Sequence, residues 1–320
     1  MVLQLHQKSR RCNILFQLKN RQFETKFGKI RSMERLIKLI SKLPLGFVRG
    51  VGRFISVLIY RCSESYRHQI RENLMRAGVY TPELALSVAK EQGAQGVEAP
   101  WVWGRDREDI LDMTYCDEES KRIVQETFAM GKPIVFLTPH IGCYEVAPIY
   151  IAHHWLGALN KNMAILYRVP KKSYLRSIVG QGRAIPNILP SSADLKGVRQ
   201  ILKTMKAGGL AGILPDQVPS EGEGIWVPLF GQYAYTMTFP IRLARQFDAN
   251  VLMCRVQREE NGWSVHMRRW DYTFTGDDSL DCAAMNRLIE ETILECPEQY
   301  LWSYNRYKCP KGATPPPKNK

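Results

Sequence analysis

After Gly131 the sequence alternates short β-rich runs with helical ones, and this alternation constrains the fold more than any other feature. Residues 133–138 and 162–167 have the composition of buried strands, and residues 210–214 form a further strand after a predicted helix over 192–206. Strands that alternate with helices in this way predict an α/β sandwich.

A hairpin signal indicates that the sheet is not purely parallel. Residues 250–257 and 263–270 are both strand-like, and Asn261-Gly262 between them is a strong hairpin turn. Because a hairpin joins antiparallel strands, we predict a mixed β-sheet sandwiched by helices. A late helix follows over 278–294, and the Pro- and Lys-rich segment 310–320 has the composition of a disordered tail.

The N-terminal part divides into two segments. Residues 1–32 are basic with little periodicity, and we interpret them as a flexible arm or as an extension from a misplaced start site. Residues 33–62 place apolar residues at helical spacing with basic residues between them, and Pro44 and Gly46 predict a break into two amphipathic helices. Such helices either pack on the domain or lie in the interface of an anionic membrane; we favour the membrane because the basic charge recurs along the whole stripe. The apolar positions are Leu36, Ile40, Leu43, Phe47, Val51, Phe54 and Leu58.

Between these helices and the β-rich part, the pattern predicts three more helices. They begin at Ser63, at Thr81-Pro82 and at Asp117, and Gly131 ends the last of them. Residues 63–309 then form the main domain.

The charge balance restricts the class of partner. The chain has 45 Lys and Arg against 31 Asp and Glu, a net charge of +14, which attracts nucleic acid, anionic lipid or an acidic carrier protein. We find no helix-turn-helix, RNP-like or zinc-finger pattern. A nucleic-acid-binding protein therefore remains only as an alternative to an enzyme. The eight cysteines are scattered without a C-x-x-C pair, which argues against a zinc ribbon or a disulfide framework. The sequence contains no run of eighteen apolar residues, so it predicts no transmembrane helix.

The central chemical signal is the segment Thr138-Pro-His-Ile-Gly-Cys-Tyr-Glu145. His140 follows a buried strand, where α/β proteins bind their ligands, and Gly142 is expected to open a helix. Glu145 can reach the imidazole only if His140 lies in the turn before that helix. A carboxylate beside an imidazole fixes its tautomer, and such a pair can deprotonate a hydroxyl that then attacks an acyl thioester. A purely structural hydrogen bond is the alternative that spacing leaves open.

Other polar residues follow predicted strand ends. Arg168 could stabilise an oxyanion or bind phosphate, and Asp216 and Gln217 could position a sugar headgroup or brace Arg168. A basic cluster suits lipid phosphates or an acidic carrier, although each member could be ordinary surface: Lys171, Lys172, Arg176 and Arg183. Adjacent side chains point apart on a helix, so we expect no metal site at His153-His154.

The His-x4-Glu unit resembles the motif of the lysophospholipid acyltransferase superfamily. Later segments narrow the resemblance, over residues 33–308, to the late acyltransferases of lipid A biosynthesis. These segments are Tyr167-Arg168, Leu195-Lys196-Gly197, Leu214-Pro-Asp-Gln217, Trp226-Val-Pro-Leu-Phe-Gly231, Thr236-Met-Thr238 and Pro297-Glu-Gln-Tyr-Leu-Trp302. One position departs: the family often has two adjacent Arg near the C-terminus, and here Asn305 replaces one of them.

The resemblance implies a glycerolipid acyltransferase-like fold in which 63–309 is the acyltransferase domain and 33–62 associates with the membrane. The donor would be acyl carrier protein bearing lauroyl, myristoyl or a similar chain, and the acceptor the hydroxyl of a 3-hydroxyacyl chain on a lipid A precursor. His140 would be the base and Glu145 would orient it, with no metal or other cofactor and no nucleic acid. The enzyme would act at the cytoplasmic face of the inner membrane, held there peripherally or by an N-terminal anchor.

Two enzymatic alternatives remain. One is an acyltransferase for a lysophospholipid or glycolipid acceptor. The other is a metal-dependent hydrolase built on His140, Glu145 and His154.

Overall fold

The computed structural model describes residues 35–167, 180 and 182–317. The predictions for Arg168, Lys171, Lys172 and Arg176, and for the arm over 1–32, lie outside these residues. The division into domains therefore stays a prediction.

A proline divides the N-terminal amphipathic stretch as predicted. Helix α1 is described over Arg35–Ser41, and α2 spans Leu45–Cys62 after Pro44, with a bend of 112° between them. Among the described residues, no single helix is long and apolar enough to cross a membrane, and the bent pair meets that criterion only jointly. Helices α3 (Glu64–Arg76) and α4 (Pro82–Gly104) follow. The Ser63 and Thr81 side chains cap them by accepting from the backbone N–H group of the third residue of each helix.

Nine strands form one large sheet and one hairpin. In chain order they are β1 Thr114–Cys116, β2 Ile134–Leu137, β3 Met163–Tyr167, β4 Ile188–Ser192, β5 Leu210–Ile213, β6 Gly224–Leu229, β7 Gln232–Met237, β8 Asn250–Glu259 and β9 Gly262–Arg269, all within the described residues. The seven-stranded sheet has the order β1-β9-β8-β2-β5-β3-β4. Every pair in it is parallel except β8–β9, the antiparallel pair predicted from Asn261-Gly262. The predicted mixed sheet is confirmed.

Helices cover both faces of the sheet. They are α5 Arg107–Asp112, α6 Glu118–Ala129, α7 Val146–Ile151, α8 Leu195–Lys206, α9 Phe239–Gln246 and α10 Asp278–Leu294. Alternate residues of β2 enter two separate hydrophobic layers: Ile134 and Phe136 enter one, and Val135 and Leu137 enter the other. This two-layer core confirms the predicted α/β sandwich.

Three local features differ from the sequence expectations. The helix predicted from residue 192 begins at Leu195, because the Asp194 carboxylate caps it by accepting from the N–H groups of Lys196 and Gly197. The preceding residues form β4, which contains Pro190; as the edge of the sheet, β4 tolerates a residue without an N–H. The β6–β7 hairpin was also not predicted, and Trp226 Nε1 on it donates to the carbonyl of Thr314, in the described part of the tail, at 2.8 Å.

Helix α2 is held by close backbone contact with α4 and by a buried charge network that reaches the sheet. A Cβ on Gly52 would lie 2.4 Å from the carbonyl oxygen of Gly93, so α2 and α4 approach as only glycines allow. The buried Glu98 accepts from Arg49 Nε of α2 and from Arg258 Nη2 of β8, both at 2.7 Å. Because a buried charge is costly without a partner, this network keeps α2 in one position against the β8–β9 pair.

Candidate active site

The His140 loop continues from the end of β2 and is bonded to several distant segments. Gly142 has a left-handed backbone (φ +55°), and a Cβ there would lie 1.9 Å from the Val256 carbonyl oxygen, so glycine is required. The helix expected from Gly142 therefore begins only at Val146. Backbone hydrogen bonds hold the loop: Thr138 to Ile213, Gly142 to Gln299, Cys143 to Val256, and Leu301 to the His140 carbonyl, at 3.0 to 3.2 Å.

The imidazole of His140 is held by Asp216. Its Nδ1 lies 2.8 Å from Asp216 Oδ1, and the His140 backbone N–H donates to Asp216 Oδ2 at 2.9 Å. On the other side of the ring, the amide Nε2 of Gln217 lies 3.2 Å from His140 Nε2. A carboxylate accepts and an amide nitrogen donates, so these contacts place the ring proton on Nδ1 and a lone pair on Nε2. That is the tautomer required of a general base acting through Nε2.

Asp216 remains ionised in this position. Its complete burial acts to raise the pKa of the carboxyl. Electrostatic attraction to His140 and the hydrogen bonds from its ring and backbone outweigh the burial, so the pKa of Asp216 lies below its usual value. A buried negative charge is therefore available to stabilise an imidazolium at His140.

The structure corrects the expectation for Glu145. The ring nitrogen that we expected Glu145 to hold is held by Asp216 instead. Glu145 lies in the turn at the start of α7, where its carboxylate accepts from Trp103 Nε1 at 3.1 Å and from Arg183 Nε at 3.0 Å, with a second contact from Arg183 Nη2. Asp216 had a detectable signal, because it follows the end of a predicted strand. Its place beside His140 depends on the pairing of β2 with β5, which the structure shows.

Arg183 is held on several sides. Besides its bidentate pair with Glu145, its guanidinium carbon lies 5.9 Å from the ring centroids of both Trp103 and Tyr167. Burial acts to lower the pKa of Arg183, but the charge of Glu145 outweighs it and the pKa is raised. Arg183, the one member of the predicted basic cluster within the described residues, is thus a fixed cation at the wall of the site.

A cavity of about 780 Å³ opens beside His140 and reaches both hydrophobic layers. Its deep part lies between the sheet and α7 and is lined by Phe136, Ile151, Met163, Ile165, Ile185 and Gly212. Its open part lies near the first turns of α8 and α9 and is lined by Leu195, Val198, Pro219, Met237, Phe239 and Arg242. Because the two layers lie on opposite faces of the sheet, the parts meet at the carboxyl ends of the strands, where His140 and Gln217 also line the cavity.

Unlike the Asp216 carboxylate, the Tyr144 phenol and the Cys143 thiol near His140 stay protonated. The Tyr144 ring meets the His140 ring edge-on, with 4.7 Å between centroids, and burial raises the pKa of its phenol. Burial also raises the pKa of the Cys143 thiol well above its usual value, so this residue lacks the thiolate that a nucleophile needs.

The described residues contain no cluster of three or more His, Cys, Asp or Glu side chains arranged to hold a metal ion. His154 instead packs against Tyr150, with ring centroids 4.1 Å apart and ring planes tilted by 38°. The alternative of a metal-dependent hydrolase thus finds no ligand set in this part of the chain.

Comparison with known proteins points to one family. The family model described as bacterial lipid A biosynthesis acyltransferase matches residues 33–309. The lipid A biosynthesis lauroyltransferase of Escherichia coli K12 is 31% identical over 128 residues, which cover 38% of this chain and 42% of the relative. The lipid A biosynthesis acyltransferase of Haemophilus influenzae is 24% identical over 184 residues, which cover 56% of this chain and 55% of the relative. The lipid A biosynthesis palmitoleoyltransferase of E. coli K12 is 25% identical over 149 residues, which cover 46% of this chain and 48% of the relative. The chain thus spans about half the length of these curated relatives.

Proposed function

The chain belongs to the bacterial lipid A biosynthesis acyltransferase family, and on this premise we propose that it transfers a fatty-acyl chain from acyl carrier protein to the hydroxyl of a 3-hydroxyacyl chain on a lipid A precursor. One observation carries the proposal. His140 has Nδ1 fixed by a buried carboxylate, while its Nε2 lies at the wall of a largely apolar cavity of about 780 Å³. A base facing an apolar cavity suits a reaction between two lipid chains.

The reaction proceeds by direct attack of the acceptor. His140 Nε2 takes the proton of the acceptor hydroxyl as its oxygen attacks the thioester carbonyl, and the Asp216 carboxylate stabilises the imidazolium. The tetrahedral intermediate then collapses, the carbon–sulfur bond breaks, and the departing thiolate takes the proton from the imidazolium. An ester and a free carrier thiol result, so no protein nucleophile is needed.

Glu145 acts in this scheme as a positioning residue. It holds the guanidinium of Arg183 at the cavity wall, where the positive charge can stabilise the oxyanion or bind an acceptor phosphate. The acid of the His-x4-Glu motif thus serves the reaction through a cation rather than through the imidazole.

The deep part of the cavity is the proposed site for the transferred acyl chain. Its lining is apolar, and it runs beside β3 from Tyr167 to Met163, a distance of about 13 Å at the rise of a strand. Gly212 forms part of its floor between Phe136 and Ile165, which are its register partners on the neighbouring strands. A long saturated chain is the ligand that such a lining favours.

We place the enzyme at the cytoplasmic face of the inner membrane. The stripe predicted on α1 and α2 lies largely in solvent, with Phe47 59% and Phe54 66% exposed. Exposed apolar residues alternate there with Lys38, Lys42 and Arg53, which suits a helix pair lying in an anionic lipid interface. We propose no nucleic-acid partner, metal or cofactor.

The test is acyl transfer by the purified protein, followed by mass spectrometry of the lipid product. Wild-type protein should add one acyl chain to a lipid A precursor from acyl carrier protein. His140→Ala should reduce the rate by at least about 100-fold with an unchanged circular dichroism spectrum, because the base is lost. The matched control is His153→Ala, an exposed histidine away from the cavity lining, which should keep full activity.

Two results would contradict the proposal. Full activity of His140→Ala would remove the imidazole from the mechanism. Transfer to lysophosphatidic acid, with none to the lipid A precursor, would assign the alternative lysophospholipid acceptor.

A further inference from the structure

Helix α8 presents a basic face to solvent. Lys196, Arg199, Lys203 and Lys206 are exposed and follow each other at intervals of three, four and three residues, so they lie in one row along the helix. The helix contains no acidic residue from Leu195 to Lys206, and its other face is buried through Gly197, Ile201, Thr204 and Met205. Among the described residues, no ion pair involves Arg199, Lys203 or Lys206.

This row begins beside the open part of the cavity. Leu195 and Val198, in the first turn of α8, line that part, and Leu195 is 77% exposed. A partner bound along the basic row would therefore have one end at the mouth that leads to His140.

The chemistry of the row differs from that of α2. Around α1 and α2, Lys38, Lys42 and Arg53 lie among many exposed apolar side chains, which suits insertion into lipid. On α8 the exposed face carries four cations and Leu195 as its one large apolar residue. Such a face suits a rigid acidic surface, where charge complementarity fixes the orientation of a partner and speeds its association.

We propose that α8 is the docking surface for an acidic helical carrier protein that delivers the acyl thioester on a flexible arm. The carrier contacts Lys196, Arg199, Lys203 and Lys206, its arm enters along the open part of the cavity, and the acyl chain continues into the deep part. This assignment rests on the proposed function and adds to it the place where the donor binds.

The test reverses charge without touching the cavity. Arg199→Glu/Lys203→Glu changes two exposed residues that do not line the cavity. With acyl carrier protein as donor, kcat/KM should fall by about tenfold or more through a higher KM, and its dependence on ionic strength should flatten. With the same acyl chain on free pantetheine, the rate should equal that of wild type. Arg199→Lys/Lys203→Arg, which keeps both positive charges, should retain the wild-type rate with the carrier.

The matched control is Lys90→Glu/Arg287→Glu, which makes the same charge change at exposed residues of α4 and α10. It should leave both rates unchanged.

Each other result has a defined meaning. Equal loss with both donors, or no loss with either, would overturn the docking surface while leaving the proposed reaction intact. Reduced binding of the α8 variant to vesicles of anionic phospholipid, with an unchanged KM for the carrier, would assign the row to the membrane instead. Failure of wild-type protein to use any acyl carrier protein would overturn the proposed donor itself.

Discussion

Asp216 determines which nitrogen of His140 carries the proton. Two contacts from one carboxylate, to Nδ1 and to the backbone N–H, fix both the ring and the loop that carries it. Glu145, although it belongs to the motif, makes its contacts with Arg183 and Trp103. In the proposed reaction, the two acids therefore act through different groups: Asp216 through the base and Glu145 through a cation.

Substitution of each acid should separate these roles. Asp216→Asn should reduce kcat by about 10³-fold to 10⁴-fold with little change in KM, because an amide no longer holds the required tautomer. Glu145→Gln should instead reproduce the phenotype of Arg183→Gln, and the double variant should be no worse than either single variant. Steady-state kinetics measures both, with the exposed Asp271→Asn as control. Additive losses for Glu145 and Arg183 would argue against the positioning role.

The Asp216→Asn substitution should also have a pH-dependent effect on the free energy of unfolding. The pKa of Asp216 is lower in the folded state, so its stabilising contribution is complete above the unfolded value of about 4. The contribution is lost as the pH falls from there through the folded pKa. The free energy of unfolding should therefore differ most between wild type and Asp216→Asn at neutral pH, and the difference should shrink in acid.

Gly212 leaves a gap in the cavity floor. A Cβ at this position would lie 3.0 Å from Ile165 Cγ1 and 3.6 Å from the sulfur of Met163, both of which line the deep part. Gly212→Ala should shift donor preference toward shorter chains, with the kcat/KM ratio of dodecanoyl to hexadecanoyl carrier rising by about tenfold, as one lost methylene position allows. Gly96→Ala, where a Cβ meets nothing within 4 Å, is the control. An unchanged ratio in a folded protein would move the chain site elsewhere.

At the scale of elements, α2 has two dissimilar faces. Leu45, Val48, Arg49, Gly52 and Ser56 are buried against the protein, whereas the opposite face exposes large apolar side chains. The sequence pattern predicts the amphipathic helix and its break at Pro44. It does not show which apolar residues face outward, because that depends on the close approach of Gly52 to Gly93 on α4.

The exposed face of α2 should control membrane binding. Phe47→Ser/Phe54→Ser removes both phenylalanines of α2, which are its two most exposed large apolar residues. Burial of each ring in lipid should stabilise the bound state by roughly 2 kcal/mol. Binding to anionic liposomes in a flotation assay should fall by at least about tenfold, while thermal unfolding stays the same because neither ring packs in the core. The matched control is Ser65→Ala on α3, also exposed. Full flotation of the double variant would show that this face is not the lipid contact.

Strands with local signals were predictable, and those without were not. The hydrophobic runs of β2, β3 and β5 and the turn at Asn261-Gly262 indicate their own structure. Strand β4 was missed because Pro190 and two serines lack a strand-like composition, and only its place at the sheet edge makes it a strand. Local patterns also cannot supply the strand order that brings Asp216 to His140.

At the scale of the whole molecule, long-range contacts hold both the site and the N-terminal helices. The network of Arg49, Glu98 and Arg258 joins α2, α4 and β8, and Arg49 Nη2 also donates to the Gly262 carbonyl at 2.8 Å. The helices proposed to contact lipid are thereby bound to the same sheet that carries His140. In the proposed membrane-bound state, this arrangement fixes the cavity at a constant orientation to the bilayer surface.

The bonding of the His140 loop also affects when the protein acquires its chemistry. Gln299 and Leu301 supply backbone partners to Gly142 and His140, more than 150 positions later in the chain. A polypeptide still growing on the ribosome cannot complete this loop until residue 301 has emerged, however early its histidine is translated. A nascent chain whose N-terminal helices have already emerged therefore still lacks a complete candidate active site.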